Sequence, residues 1–170
     1  MKWVIALLFM TVTTWIGLEW SHKFNQRPMH IRQLKNALQI LEAEMLYSQL
    51  PLQDAFREIA KQMPAPTNLL FSFLSTEMEK QTGDFNRLWE LAVQRLMKQA
   101  ALAYNDQEIL LQFGRTIGQH NFEQQQKHIQ LALSHLDREL EEATHQQHKY
   151  GKIAKSLGFL SGLFIVIVFI

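Results

Sequence analysis

A chain of 170 residues with no cysteine and a formal charge of +1 has room for one modest domain and its tethers. It offers no disulfide scaffold, no thiolate nucleophile and no cysteine-ligated zinc. A charge this close to balance also argues against nucleic acid, whose binders carry a basic stripe on a far more basic background.

Hydrophobic residues make up 47% of the chain, and they crowd towards its two ends. Met1 to Trp20 reads as an apolar anchor with Trp3, Trp15 and Trp20 placed for aromatic belts. No small-x-small cleavage site follows it, so an uncleaved span is expected in preference to a secretory signal. Glu19 then belongs at the interface, because a carboxylate at mid-bilayer costs about 2.5–3.5 kcal/mol.

The region 21–152 carries helical periodicity and no strand signal, with glycine and proline only as punctuation. Pro28 is expected to open a first helix with the stripe Ile31, Leu34, Leu38, Leu41 and Met45. Pro51 stops it and starts a second, with Leu52, Ala55, Phe56 and Ile59 inward. Pro64 and Pro66 mark a turn. A third helix carries Leu70, Phe73, Leu74 and Glu77 to about Gln81, and Gly83 ends it. Asp84 caps a fourth with Leu88, Trp89, Ala92 and Leu96 on one face. Asn105 and Glu108 have capping-box spacing ahead of Ile109, Leu110, Phe113 and Ile117. Asn121 caps the longest helix, whose inward residues are Ile129, Leu133, Leu136, Leu140 and Ala143. Six helices on short loops predict an all-α antiparallel bundle.

No breaker precedes Gly151, and the sequence leaves open whether the sixth helix is continuous with the last apolar stretch, 153–170. From Leu157 that stretch holds no ionisable side chain. With the preceding turns it reaches the roughly 20 residues a bilayer requires. Gly158 and Gly162 form a small-xxx-small pair suited to close helix approach, or are incidental. The expected architecture is therefore a bundle flanked by N- and C-terminal transmembrane helices.

Charge is segregated along this plan. Lys23, Arg27, Arg32 and Lys35 follow the first apolar stretch, and Lys149, Lys152 and Lys155 precede the second, with no acid among either set. Both groups read as membrane collars that set stems on apolar surface and ammonium or guanidinium groups at lipid phosphate, the alternative being a solvated surface segregated by chance; Arg27 and Arg32 are assigned either to lipid or to the base of the bundle itself. By the positive-inside rule they place the intervening domain in the cytoplasm. The acids Glu77, Glu79, Asp84 and Glu90 lie away from the collars and form a candidate docking surface for a basic partner.

Chemistry is sparsely provided for. His128 with His135, and His145 with His148, have spacings that metal ligands use, yet no HExxH or Glu-x-x-His pattern occurs. A membrane-anchored sensor that uses these histidines is the alternative reading. An exported domain behind a signal peptide is a third. Asp137, Glu139, Glu141 and Glu142 are expected to lie on a solvated face. With no phosphate loop and no nucleophile elbow, neither a catalytic residue nor a cofactor site is expected.

A resemblance sharpens this picture. Arg27-Pro28, Ile31-Arg32-Gln33-Leu34, Ala37-Leu38, Leu41-Glu42, Glu44, Tyr47 and Pro51-Leu52 resemble the opening of the stage III sporulation protein AB family. Trp89, Asp106, Ile109-Leu110, Phe113-Gly114, Gly118, Gln125 and Lys127-His128-Ile129 follow in the same order and spacing, as do Lys152, Lys155 and Leu157-Gly158-Phe159-Leu160. Asn121, Ser156 and Ser161 depart from the pattern, where Asp, Tyr and Gly are expected. The resemblance implies a helical cytoplasmic domain similar to that of inner-membrane platform proteins of type II secretion and type IV pilus systems. It also implies a place in the mother-cell membrane around the forespore, in a channel between the two cells. Its implied partners are the membrane, a secretion-type ATPase and other membrane proteins of the same operon, with an oligomer possible.

Overall fold

The structure, a computed structural model, describes residues 26–48, 50–80, 84–117 and 122–169, and for residues 46, 122, 123 and 150–169 the backbone alone. Every regular element among the described residues is helical. Helix α1 covers residues 26–43 and passes into a π-helical turn at Glu44–Ser48. Then come α2 (Leu52–Gln62), α3 (Thr67–Glu79), α4 (Phe85–Gln99), α5 (Tyr104–Thr116) and α6 (Phe122–Phe169).

Proline and short polar caps set most boundaries. The missing N–H of Pro51 and its pressure on Leu50 towards extended backbone end the first helix ahead of it. The carbonyl of Pro51 then accepts from the amides of Asp54 and Ala55 at 2.9 and 3.0 Å, which starts α2. Asp84 is extended and accepts from the Asn86 amide at 3.4 Å, so it caps α4 as its position predicts. Two boundaries differ from expectation. The helix is already formed at residue 26, so Pro28 sits inside α1 and does not open it. Helix α5 begins at Tyr104, and Asp106 is the residue whose carboxylate accepts from the Ala103 amide, at 2.7 Å. Asn105 and Glu108 therefore make no capping box. The stronger acceptor is the ionised side chain three residues beyond the cap, already oriented by a buried cation described below. Gln81, Gly83 and Asn121, expected at a helix end, a stop and a cap, lie outside the described residues.

Each sequential pair from α2 to α6 packs together, and side chains of α1 reach α3, the α4–α5 connection and α6. The Thr67 hydroxyl at the head of α3 donates to Gln33 at 3.1 Å. The Ala101 amide, between α4 and α5, donates to His30 Nδ1 at 2.9 Å. Lys35 pairs with Asp137 on α6. Glu42 accepts from Gln126 and Gln130. As α1 advances from Lys35 to Glu42, its partners recede along α6, so the two helices run antiparallel.

The predicted stripes are the core. Ile31, Leu34, Leu38, Leu41, Ala55, Phe56, Ile59, Leu70, Leu74, Trp89, Ala92, Leu96, Leu110, Phe113, Ile117, Ile129, Leu133, Leu136 and Ala143 are all buried. Met45, Leu52, Phe73, Leu88, Ile109 and Leu140 pack partly buried around them. An aromatic group joins α2, α3, α4 and α5. The Phe56 ring lies 5.6 Å from Phe71 and 6.1 Å from Trp89, and Trp89 meets Phe113 edge-on at 5.5 Å. The indole N–H of Trp89 donates to the Leu110 carbonyl at 2.8 Å, so its burial leaves no donor unpaired. Gly114 is required by that ring: a Cβ there would overlap indole atoms of Trp89.

Helix α6 is continuous over 48 residues, about 72 Å at 1.5 Å per residue. Ala143 is the last buried core residue described on it. The continuity of this helix from the bundle to Phe169, which the sequence leaves open, is seen in the backbone. Among the described residues no helix is long and apolar enough to cross a membrane. The anchor expected at 1–20 lies outside the described residues, and 153–170 lies where only backbone is described, through Phe169.

Candidate functional site

The strongest polar feature joins α1, α5 and α6. Arg27 Nε donates to Asp106 Oδ2 at 2.9 Å, and Nη2 to Asp106 Oδ1 at 3.0 Å, a bidentate pair. The same Nη2 donates to Glu139 Oε2 at 2.8 Å. The side chain of Asp106 is 0% exposed and that of Glu139 is 3% exposed. The Asp106 hydrogen bond, together with both carboxylate charges, holds the guanidinium pKa above its ordinary value despite partial burial. Such a cluster fixes geometry. Its donors and acceptors are spent on one another, which leaves little to offer a ligand.

This arrangement corrects one expectation. Glu139 does not lie on a solvated face with Glu141 and Glu142. It turns into the bundle because Arg27 supplies the charge that its burial requires. Asp137 is exposed but paired with Lys35, while Glu141 and Glu142 are exposed.

Members of the first basic collar divide accordingly. Arg27 and Lys35 have carboxylate partners inside the domain, and Arg32 is exposed. In the second collar Lys149 is exposed, while Lys152 and Lys155 fall where only backbone is described. Lys23 lies outside the described residues, and Gly158 and Gly162 are placed on α6 by backbone alone.

The candidate docking acids gather at the opposite end. Ala101, just past the C-terminus of α4, meets α1 at His30, three residues from Arg27. The other end of α4, at Asp84 and Phe85, is about 22 Å away along the helix. Glu79, Asp84 and Glu90 are exposed, and Glu77 is half-buried. Lys80 pairs with Glu77 at 2.8 Å and Arg57 with Glu79 at 3.7 Å, surface pairs that a partner can displace at small cost. Beside them a cleft of about 350 Å³ opens between α3 and α4, lined by Leu69, Phe73, Thr76, Glu77, Arg95 and Gln99. The Arg95 guanidinium sits 4.1 Å from the Phe73 ring centroid. Leu69 is 49% exposed at its rim.

The described histidines are dispersed over the domain. His128 and His135 border a cavity of about 100 Å³ between α5 and α6, with Ile109, Gln112, Phe113 and Leu131. His145 and His148 are exposed on α6. Among the described residues no group of three or more histidines and carboxylates is placed to hold a metal ion. His30 has a structural role, which sequence reasoning passed over. Nothing in its spacing marks it as an acceptor for a backbone amide 71 residues away.

Comparison with known proteins decides the family. The family model for stage III sporulation protein AB matches residues 2–170. This chain belongs to the stage III sporulation protein AB family. The member from Bacillus subtilis (strain 168) is 40% identical over 168 residues, covering 99% of this chain and 98% of the relative. A solved structure of stage III sporulation protein AB superposes with a TM-score of 0.68 at 40% identity, covering 73% of this chain and 98% of that one. Membership in the sporulation protein AB family extends over essentially the whole length, as the resemblance in Arg27-Pro28 through Leu160 implies.

Proposed function

We propose that this sporulation protein is a non-enzymatic membrane platform: a helical bundle tethered at both ends that docks a secretion-type ATPase in a channel between mother cell and forespore. The observation that carries this reading is α6. One helix leaves the core at Ala143 and continues to Phe169, through the apolar run from Leu157, with no hinge between. A bundle built this way moves as one body with whatever holds its distal helix. Arg32 and Lys149, both exposed, are free of the core to meet anionic lipid together with Lys23, Lys152 and Lys155.

The docking face is the acidic end, Glu77, Glu79, Asp84 and Glu90, with the neighbouring α3–α4 cleft. The four acids are opposite in charge to a basic partner, and Glu79 and Asp84 lie at the end of α3 and α4 away from His30 and Arg27, while the cleft runs from Glu77 back towards Gln99. The test has two parts. After lysis and ultracentrifugation the full-length chain is expected in the membrane pellet and to be released only by detergent; recovery in the aqueous fraction would sink the tethered platform. Reversing Glu79 and Glu90 to lysine is expected to abolish co-purification of the ATPase from sporulating cells while leaving the pellet fraction unchanged. Unaltered co-purification removes the acidic face from the proposal.

A further inference from the structure

Arg27, Lys35, Arg57, Lys61 and Lys80 are each spent on a carboxylate of the domain itself. Arg87, Arg95 and Lys98, all on α4, are not: among the described residues no acid lies within ion-pair distance of any of them. At 3.6 residues per turn, positions 87, 91, 94, 95 and 98 fall within an arc of about 100°, and all five side chains are exposed. The outer face of α4 is therefore basic, with Leu91 near its centre and Glu90 at its edge. This arc borders the cleft between α3 and α4, and Arg95 belongs to both. Its contact with the Phe73 ring, at 4.1 Å, fixes the guanidinium, while among the described residues no acceptor takes its N–H donors. Apolar surface lies to either side of it. Leu69 on α3 and Leu91 on α4 are 49% and 41% exposed. Glu77, the acid that lines the cleft, is already paired with Lys80.

We infer that the α3–α4 cleft and the outer face of α4 receive an acidic amphipathic segment of a partner protein. Its apolar side chains enter beside Leu69 and Phe73, and its carboxylates meet Arg95, Lys98 and Arg87. A fixed guanidinium with free N–H groups suits a carboxylate, which it can hold through two parallel bonds. The rise from Arg87 to Lys98 is about 16 Å, the length of three turns of a partner helix with acids at three- and four-residue spacing. A bilayer is the poorer occupant, because a recess of about 350 Å³ is filled by an inserted side chain and only bridged by a flat surface. The surface is separate from the tether and from the acids at the far end of the domain. Glu79 and Asp84 address basic groups, whereas the cleft and the α4 face address acidic ones.

The absence of cysteine makes the test direct. Thr76→Cys, which lies in the cleft wall, and Leu131→Cys, an exposed position on α6, are made separately in the full-length chain in neutral detergent. Each is reacted with a helical peptide of about twelve residues carrying leucine on one face, glutamate on its flanks and a disulfide-activated cysteine. Rates are divided by those with uncharged hydroxyethyl disulfide, which corrects for thiol exposure. The normalised rate is expected to be about tenfold or more higher at Thr76→Cys than at Leu131→Cys, and higher than with a scrambled peptide of the same composition. The advantage should disappear in Arg95→Glu with Lys98→Glu, and also in Leu69→Ser with Leu91→Ser, while Glu79→Lys leaves it intact. These positions are exposed, and unchanged unfolding midpoints check that the variants fold. Equal rates at the two cysteines, an equally fast scramble, or an advantage that survives loss of both leucines overturns the inference. Suppression of the advantage by phosphatidylglycerol added to the micelles overturns it in favour of a lipid headgroup. The acidic face is read separately: loss of ATPase co-purification in the Glu79 and Glu90 reversals with peptide trapping intact, or the converse, shows which of the two surfaces fails.

Discussion

At the scale of single residues, the cluster at Arg27 is the part of the domain most sensitive to change. Removing the guanidinium leaves Asp106 and Glu139 buried without it, and breaking a buried pair from one side costs about 3–5 kcal/mol. Arg27→Ala is expected to lower the unfolding midpoint of the detergent-solubilised chain accordingly. Arg27→Lys should recover only part of it, because an ammonium cannot reproduce the bidentate fork. The same cluster yields a contrast at α5. Asp106→Ala should be severely destabilising, since it orphans both Arg27 and the Ala103 amide, whereas Asn105→Ala should cost less, because it removes only a long 3.5 Å hydrogen bond from its Nδ2 to Glu139. Equal effects of the two substitutions in urea titrations would restore Asn105 as the cap.

His30 supplies the pH dependence. Burial lowers its pKa below the usual 6.5, and its Nδ1 must be unprotonated to accept from the Ala101 amide. The unfolded chain therefore binds this proton more readily than the folded one. The His30 contribution is fully present above about pH 6.5 and is lost as pH falls towards the lowered folded value. Unfolding midpoints measured at pH 7.5 and 5.5 should differ in that sense. The difference should shrink in His30→Gln, whose amide oxygen accepts the same bond without titrating.

At the scale of elements, the α4–α5 contact depends on an absent side chain. Gly114→Ala raises helix propensity by about 1 kcal/mol. Against this, its Cβ would overlap the indole of Trp89, which is held by the Leu110 carbonyl and by Phe113. Overpacking of this kind costs about 1–3 kcal/mol, so a net loss of stability is expected and calorimetry of the variant checks the sign. The elements themselves were legible from periodicity and punctuation, and the stripes of α1 to α6 are the core that formed. What periodicity missed was local in cause. Phe71 and Val93 are buried beside the predicted stripes because α3 and α4 each pack on two neighbours, and a helix flanked on both sides buries a wider arc. The π-helical turn at Glu44–Ser48 has no sequence signature that we can identify.

For the whole molecule, the Arg27 cluster and the acids at Asp84 and Glu79 lie near opposite ends of α4, and the proposed platform would use that separation to keep membrane and partner apart. A platform needs that separation, and it gives the charge-reversal experiment its logic. Lysines at Glu79 and Glu90 should disturb recruitment while the unfolding midpoint moves by less than about 0.5 kcal/mol, because exposed surface charges contribute little to stability. A large loss of stability in the same variant would mean that these acids support the fold.

Sequence alone determined the helical character of the bundle, the helix boundaries at Pro51 and Asp84 and the identity of the core, because each is written in spacing or in local residue chemistry, and resemblance to known sequences indicated the family. Tertiary structure alone decided which charges face inward. Arg27 reads equally as a lipid contact or as part of the base of the bundle, and Glu139 as one of several surface acids, until chain segments 112 residues apart are brought to 2.8 Å. Side-chain period tells which face of a helix is apolar; only packing tells which polar group on its edge has found a partner and can be buried.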